Sequence, residues 1–146
     1  MSKLLALLPA EDERELDKLV NYGVFNDKSD AIIISVKLLV RQDEIKKEDL
    51  IKCMRTVNKF LMDNIGDLPF PSYPLVIHHN SEKVYKFPIK TRIDWGKNMI
   101  IGFVCIGSGT FEIIPDISDS AEKLNKVCEK IGKDIESSLS EAGTLV

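Results

Sequence analysis

The chain has 146 residues, 44% of them hydrophobic and 29% charged, with a formal net charge of -3 and three cysteines. That length suits one domain, or a small module joined to a second compact one, with enough apolar matter for a core. No apolar run reaches the roughly twenty residues of a membrane span, the N-terminal apolar stretch is too short for a secretory signal, and the scattered Cys53, Cys105 and Cys128 argue against a disulfide framework and for a cytoplasmic protein.

The charge is unevenly spread. Residues 1–45 carry six basic groups against nine acidic ones, whereas residues 46–146 carry fourteen of each. The N-terminal part therefore holds the whole negative excess, which sits awkwardly with a nucleic-acid partner.

In chain order, the first element is Lys3–Leu8, KLLALL, a short apolar strand stopped by Pro9. The segment AEDERELDKLVNYG then reads as a helix with acids in its first turn, where the helix dipole favours them. Leu16, Leu19 and Val20 form its apolar stripe, and Gly23 is its terminating glycine. Ser29 is the expected N-cap of a second helix, DAIIISVKLLVRQ. That helix is apolar almost all round, from Ile32 to Val40, and must be buried on several sides. A unit of about 45 residues cannot supply such cover. A second copy of the chain is the expected source.

Within this region the run LDKLVNYGVFNDKSDAIIISVKLLV, residues 16–40, resembles the ribbon-helix-helix family of transcription regulators, with Gly23, Phe25, Ser29, Ala31 and Ile32 carrying the likeness. With its flanks the resemblance covers about a third of the chain. It implies a module over residues 1–44 in which one strand from each subunit pairs into a ribbon lying in the DNA major groove. Leu4, Ala6 and Leu8 would then face the dimer core together with the helix over 30–41, and Lys3, Leu5 and Leu7 would face DNA. The start of the second helix, at Lys28, Ser29 and Asp30, would grip a phosphate. Leucines at two reading positions can touch thymine methyls but cannot hydrogen-bond base edges.

Residues 45–66 are expected to form a connecting helix with Leu50, Met54, Val57, Leu61 and Ile65 on one face and Gly66 closing it. Nothing between Arg41 and Asp49 breaks the helical pattern, so a continuous rod is open. The proline-rich DLPFPSYP reads as a stiff linker and as the best domain boundary, with an α+β domain over residues 67–146.

After the linker the period changes to two. PLVIHH, VYKFPIKTRIDW, MIIGFVCI and TFEII read as four strands of an antiparallel meander. The second alternates apolar odd positions (Tyr85, Phe87, Ile89, Ile93, Trp95) with Lys86, Lys90 and Arg92. The third, apolar on both faces, is expected at the centre of the sheet. Asp119 with Glu122 offers a capping box for a last helix carrying Ala121, Leu124, Cys128, Ile131, Ile135 and Leu139 as a seam.

Three groupings carry possible chemistry. Lys86, Lys90 and Arg92, flanked by Lys83 and Lys97, form a basic strand face able to hold phosphate or another anion, or else a solvated face that discourages edge pairing. His78 and His79 are adjacent on a strand, point to opposite faces and find no third histidine, so no metal is expected. GFVCIGSGT lacks the Lys-Ser/Thr of a phosphate loop and any base beside Cys105. No triad, carboxylate pair or nucleotide motif supports an enzyme, and no cofactor is expected. The sequence thus implies an α+β, homodimeric, DNA-binding transcription regulator with a C-terminal sensing or oligomerisation domain. The alternative is a dimeric interaction or scaffold protein that keeps the fold without reading DNA.

Overall fold

A computed structural model of the chain describes residues 9–39, 45–94 and 97–144. It is a mixed α+β structure: helices α1 (Ala10–Tyr22), α2 (Lys28–Leu39) and α3 (Lys47–Asn64), strands β1 (Phe70–Pro71), β2 (Leu75–His79), β3 (Glu82–Asp94) and β4 (Lys97–Gly107), a 3-10 turn at Pro115–Ile117, and helix α4 (Ala121–Thr144). The strand expected over 3–8, with Lys3, Leu4, Leu5, Ala6, Leu7 and Leu8, lies outside the described residues, as do Val40, Arg41 and Trp95.

Helix α1 follows Pro9 with Glu11, Asp12 and Glu13 in its first turn. It ends where the sequence implies, at Gly23, whose φ of 90° lets the Gly23 and Val24 N–H groups reach back to the carbonyls of Val20 and Leu19. The turn that follows is anchored by the buried Val24 and Phe25. The cap of α2 is Asp27 rather than Ser29: the Asp27 carboxylate accepts from the Asp30 N–H at 2.7 Å, and Asp30 in turn accepts from the Asn26 N–H. A charged oxygen two residues upstream competes successfully with the hydroxyl, and the Asp30 carboxylate closes the turn on the N–H of Asn26, the residue before the cap.

No continuous rod joins α2 to α3, because Ile45 and Lys46 are not helical and Lys46 is extended (φ -58°, ψ 137°). Ile45 instead packs against the core. Helix α3 buries Cys53, Val57 and Leu61 and half-buries Leu50, Met54 and Ile65, the face read from the sequence with Cys53 added. Gly66, at φ 139°, terminates it, and the Ile65 and Gly66 N–H groups both donate to the Leu61 carbonyl.

The proline-rich segment contributes a strand. Phe70 and Pro71 pair with Lys90 and Ile89, and Pro69, Pro71 and Pro74 are buried. Proline tolerates this position because an edge strand needs few of its N–H groups. The sheet is four-stranded and antiparallel, and β3 is its centre: β2 and β1 lie in succession along one edge, and β4 runs the length of the other. The central place expected for β4 therefore belongs to β3, and TFEII contributes only an isolated bridge between Ile106 and Ile113. The β2–β3 hairpin turns through Asn80 and Ser81, both at positive φ (50° and 63°), as a two-residue turn matched to strand twist.

The outer edge of β4 is closed without a strand. The Phe103 N–H donates to the Asp119 carboxylate at 2.8 Å and the Asp119 N–H returns to the Phe103 carbonyl at 2.9 Å. The Cys105 N–H donates to the Ser118 hydroxyl at 2.8 Å, and the Ile114 N–H reaches the Cys105 carbonyl. This accounts for a strand buried at every residue from Ile101 to Gly107 yet paired on one side alone. Asp119 is thereby committed to β4, and Ser120 takes over the cap of α4, its hydroxyl accepting from the Lys123 N–H.

One cluster of buried side chains runs from Val24 and Phe25 through α3 and the sheet to Leu124, Val127 and Ile131. Phe25 meets Phe103 with ring centroids 5.7 Å apart, and Tyr22 donates to Asp134, so the N-terminal helices share a core with the C-terminal half.

Candidate functional site

The expected DNA contacts are placed as follows. Lys3, Leu5 and Leu7 lie outside the described residues. Lys28 occupies the first turn of α2, and its ammonium is held by two carboxylates of α1, Glu13 at 2.9 Å and Asp17 at 3.0 Å. These partners raise its pKa, Glu13 most. Ser29 is half-buried in the same turn, and Asp30 is spent on the cap. The positive end of α2 is thus already answered by acids of its own chain.

Among the described side chains of α2, the apolar Ile33 and Val36 remain uncovered. Ala31 and Ile34 are buried against the rest of the chain, while Ile33 is 44% and Val36 52% exposed. The sequence pattern called for cover on several sides; among the described side chains, the single chain covers the side of Ala31 and Ile34 and leaves that of Ile33 and Val36 open.

The basic strand residues fall at alternate positions of β3 and differ in exposure. Lys86, opposite Cys105 and Leu75, is half-buried with its ammonium 4.8 Å from the centre of the Phe103 ring, a cation–π contact. Pro88, next on that face, is fully buried, and Lys90, opposite Ile100 and Phe70, is half-buried. Arg92 is exposed and, among the described residues, makes no ion pair. The alternation of the sequence placed the three on one face with Pro88 among them; the structure adds that Pro88 is fully buried.

Arg92 belongs instead to a cleft that sequence reasoning missed. Its volume is about 320 Å3, and its walls are residues 65–69 after α3, Thr91 and Arg92 of β3 beyond the last residue paired with β1, and one face of α4 from Asn125 to Ile135. The Asn125 amide donates to the Asn64 carbonyl and ties the two helical walls together. The lining is mainly apolar, through Ile65, Leu68, Ile131 and Ile135, with Thr91, Arg92, Asp67 and Asn125 as its polar members. The α4 residues were legible as a seam; what they lacked in sequence was the opposing wall.

His78 is exposed opposite Lys83, and His79 is half-buried opposite Glu82. Among the described residues no group of three His, Cys, Asp or Glu side chains is arranged to hold a metal. Burial pushes the Cys53 and Cys105 thiols up to about 11 and raises Cys128. Such thiols are core groups and poor nucleophiles at neutral pH. No helix among the described residues is long and apolar enough to cross a membrane. In comparison with known proteins, no family model matches the chain, and no curated protein or solved structure matches it either.

Proposed function

We propose that the protein is a homodimeric transcription regulator of the ribbon-helix-helix kind. Residues 3–8 of two copies would pair into a ribbon carried on α1 and α2, with the α+β half behind it as a sensing domain. The observation that carries this reading is the uncovered face of α2. Ile33 and Val36 remain exposed on a helix that buries Ala31 and Ile34 against its own chain, and a second α2 brings the same face in return. The ribbon would then present Lys3, Leu5 and Leu7 to the major groove, with the start of α2 against the backbone.

A second reading is favoured by the Lys28 ion pairs. A lysine neutralised by Glu13 and Asp17 is not free to meet a phosphate. On this reading the helical pair is a dimerisation device, and the partner is a protein. Fluorescence anisotropy against random duplex DNA and the upstream region of its own gene, over a salt series, separates the two. Sequence-selective binding that weakens steeply with salt supports the regulator. A dimer that binds neither DNA at low salt supports the interaction protein. Val36→Glu tests the dimer by light scattering. Val36 is exposed in the single chain, so the monomer should stay folded while the dimer is lost; a wild-type monomer would overturn both readings.

A further inference from the structure

We propose that the cleft between the end of α3 and α4 binds a small organic carboxylate with an apolar body. It rests on the reading of the C-terminal half as a sensing domain for its consequence alone, since occupancy is measured directly on the protein.

Three observations meet there. The first is size and lining: about 320 Å3, with an apolar floor of Ile65, Ile131 and Ile135, is in the range of a compact ligand site. Leu68, at the same wall, is 66% exposed, and an apolar ligand body would cover it.

The second is Gly132. A glycine within a helix costs about 1 kcal/mol relative to alanine, so it calls for a reason. A Cβ at Gly132 would meet nothing within 4 Å. No neighbour demands the glycine, and the room it leaves belongs to the cleft, which Gly132 lines. Gly102 is the contrast: a Cβ there would lie 2.5 Å from both Asp119 and Leu124, so packing alone explains it.

The third is charge. Arg92 lines the cleft and, among the described residues, makes no ion pair, although Asp67 lines the cleft as well. A guanidinium at the mouth of an apolar space matches a carboxylate, which it can hold through two parallel hydrogen bonds. Asp67 disfavours polyanions, so a single carboxylate suits the site better than a phosphate ester.

Titration of the full chain with hexanoate and phenylacetate, followed by amide chemical shifts, tests the proposal, with hexan-1-ol and hexylamine as neutral and cationic counterparts. Both acids should bind and shift resonances of residues 65–69, 91–92 and 125–135, while the alcohol and amine bind more weakly. Arg92→Met should weaken acid binding on the order of tenfold or more, the effect of losing one charge-assisted hydrogen-bonded pair. Gly132→Leu should fill the space and abolish binding; Gly132→Ala, with its smaller side chain, should keep binding and melt higher than wild type. No shifts in the cleft at millimolar acid, equal binding of the alcohol, or undiminished binding by a folded Gly132→Leu would each overturn the assignment. DNA binding is measured in a separate titration, so loss of the regulator reading does not pass for loss of the ligand site.

Discussion

Gly102→Ala is the sharpest test of how β4 is held. A methyl at Gly102 would stand 2.5 Å from the Asp119 carboxylate oxygen and 2.5 Å from a Leu124 methyl. Neither group is free to retreat. Leu124 is fully buried, and the same Asp119 oxygen accepts the Phe103 N–H at 2.8 Å while its other oxygen holds Lys123 at 2.8 Å. Overpacking of this kind costs about 1–3 kcal/mol. Displacing the carboxylate leaves a buried N–H without its acceptor, a further cost of about 1–3 kcal/mol if the bond is lost outright. Partial relief of one at the expense of the other sets the expected total at about 2–4 kcal/mol. For a chain of this size that lowers the melting temperature by roughly 6–14 °C. Urea unfolding monitored by circular dichroism reads the change, with Gly132→Ala as a control of opposite sign. If Gly102→Ala unfolds within about 0.5 kcal/mol of wild type, the approach of α4 to β4 is looser than described.

Three further predictions follow from individual contacts. Tyr22 donates to Asp134, and that hydrogen bond, with burial and the Asp134 charge, pushes its phenol up to about 12. Because the raised value favours the neutral phenol in the folded chain, this contribution is complete below pH 10 and is lost as pH rises toward 12; Asp134→Asn should return the phenol titration, followed by ultraviolet absorbance, toward pH 10, and an unmoved titration would dismiss the contact. Lys28→Ala removes both ion pairs between α1 and α2; its melting temperature should fall at low salt and the gap to wild type should narrow at high salt, since these pairs are partly exposed and screened. A disulfide reagent at pH 8 should leave Cys53 and Cys105 unmodified in the folded chain, as their raised thiols and burial require, and rapid reaction of either would contradict the packing around it.

How much of this was legible from residues alone depended on whether local chemistry or long-range pairing decided the outcome. Gly23, the apolar face of α3 and the alternation of Tyr85, Phe87 and Ile89 were readable, because each rests on a single element's period or on one backbone requirement. The meander order of β2, β3 and β4 was readable too, from the short turns between them, but the edge position of β4 was not. Nor was β1, whose pairing with the far end of β3 is long-range and whose prolines disguised it as linker. The richness of β4 in apolar residues suggested a central strand; it is explained by Ser118 and Asp119, which take a neighbouring strand's place with side-chain oxygens. The cleft was illegible for the same reason. Each wall reads as ordinary helix or turn, and Gly132 looks like a weak point of α4 until the space beside it is seen.

The two regions of interest are joined by contacts already named. Helix α4 carries Ile131, Gly132 and Ile135 on the cleft and Asp134 beneath Tyr22 of α1. Helix α1 carries Glu13 and Asp17, which hold Lys28 at the start of α2. A run of contacts thus leads from the cleft wall to the start of α2, one a hydrogen bond to a tyrosine and the other a pair of salt links. If the proposed ligand and the proposed dimer communicate along this run, the effect is reciprocal, and dimerisation shifts ligand affinity by the same factor as the ligand shifts dimerisation. Its strength is bounded by the contacts themselves. Exposed salt links are weak and salt-sensitive, so any signal passing from the cleft to the Ile33–Val36 face should be modest and should fade as ionic strength rises.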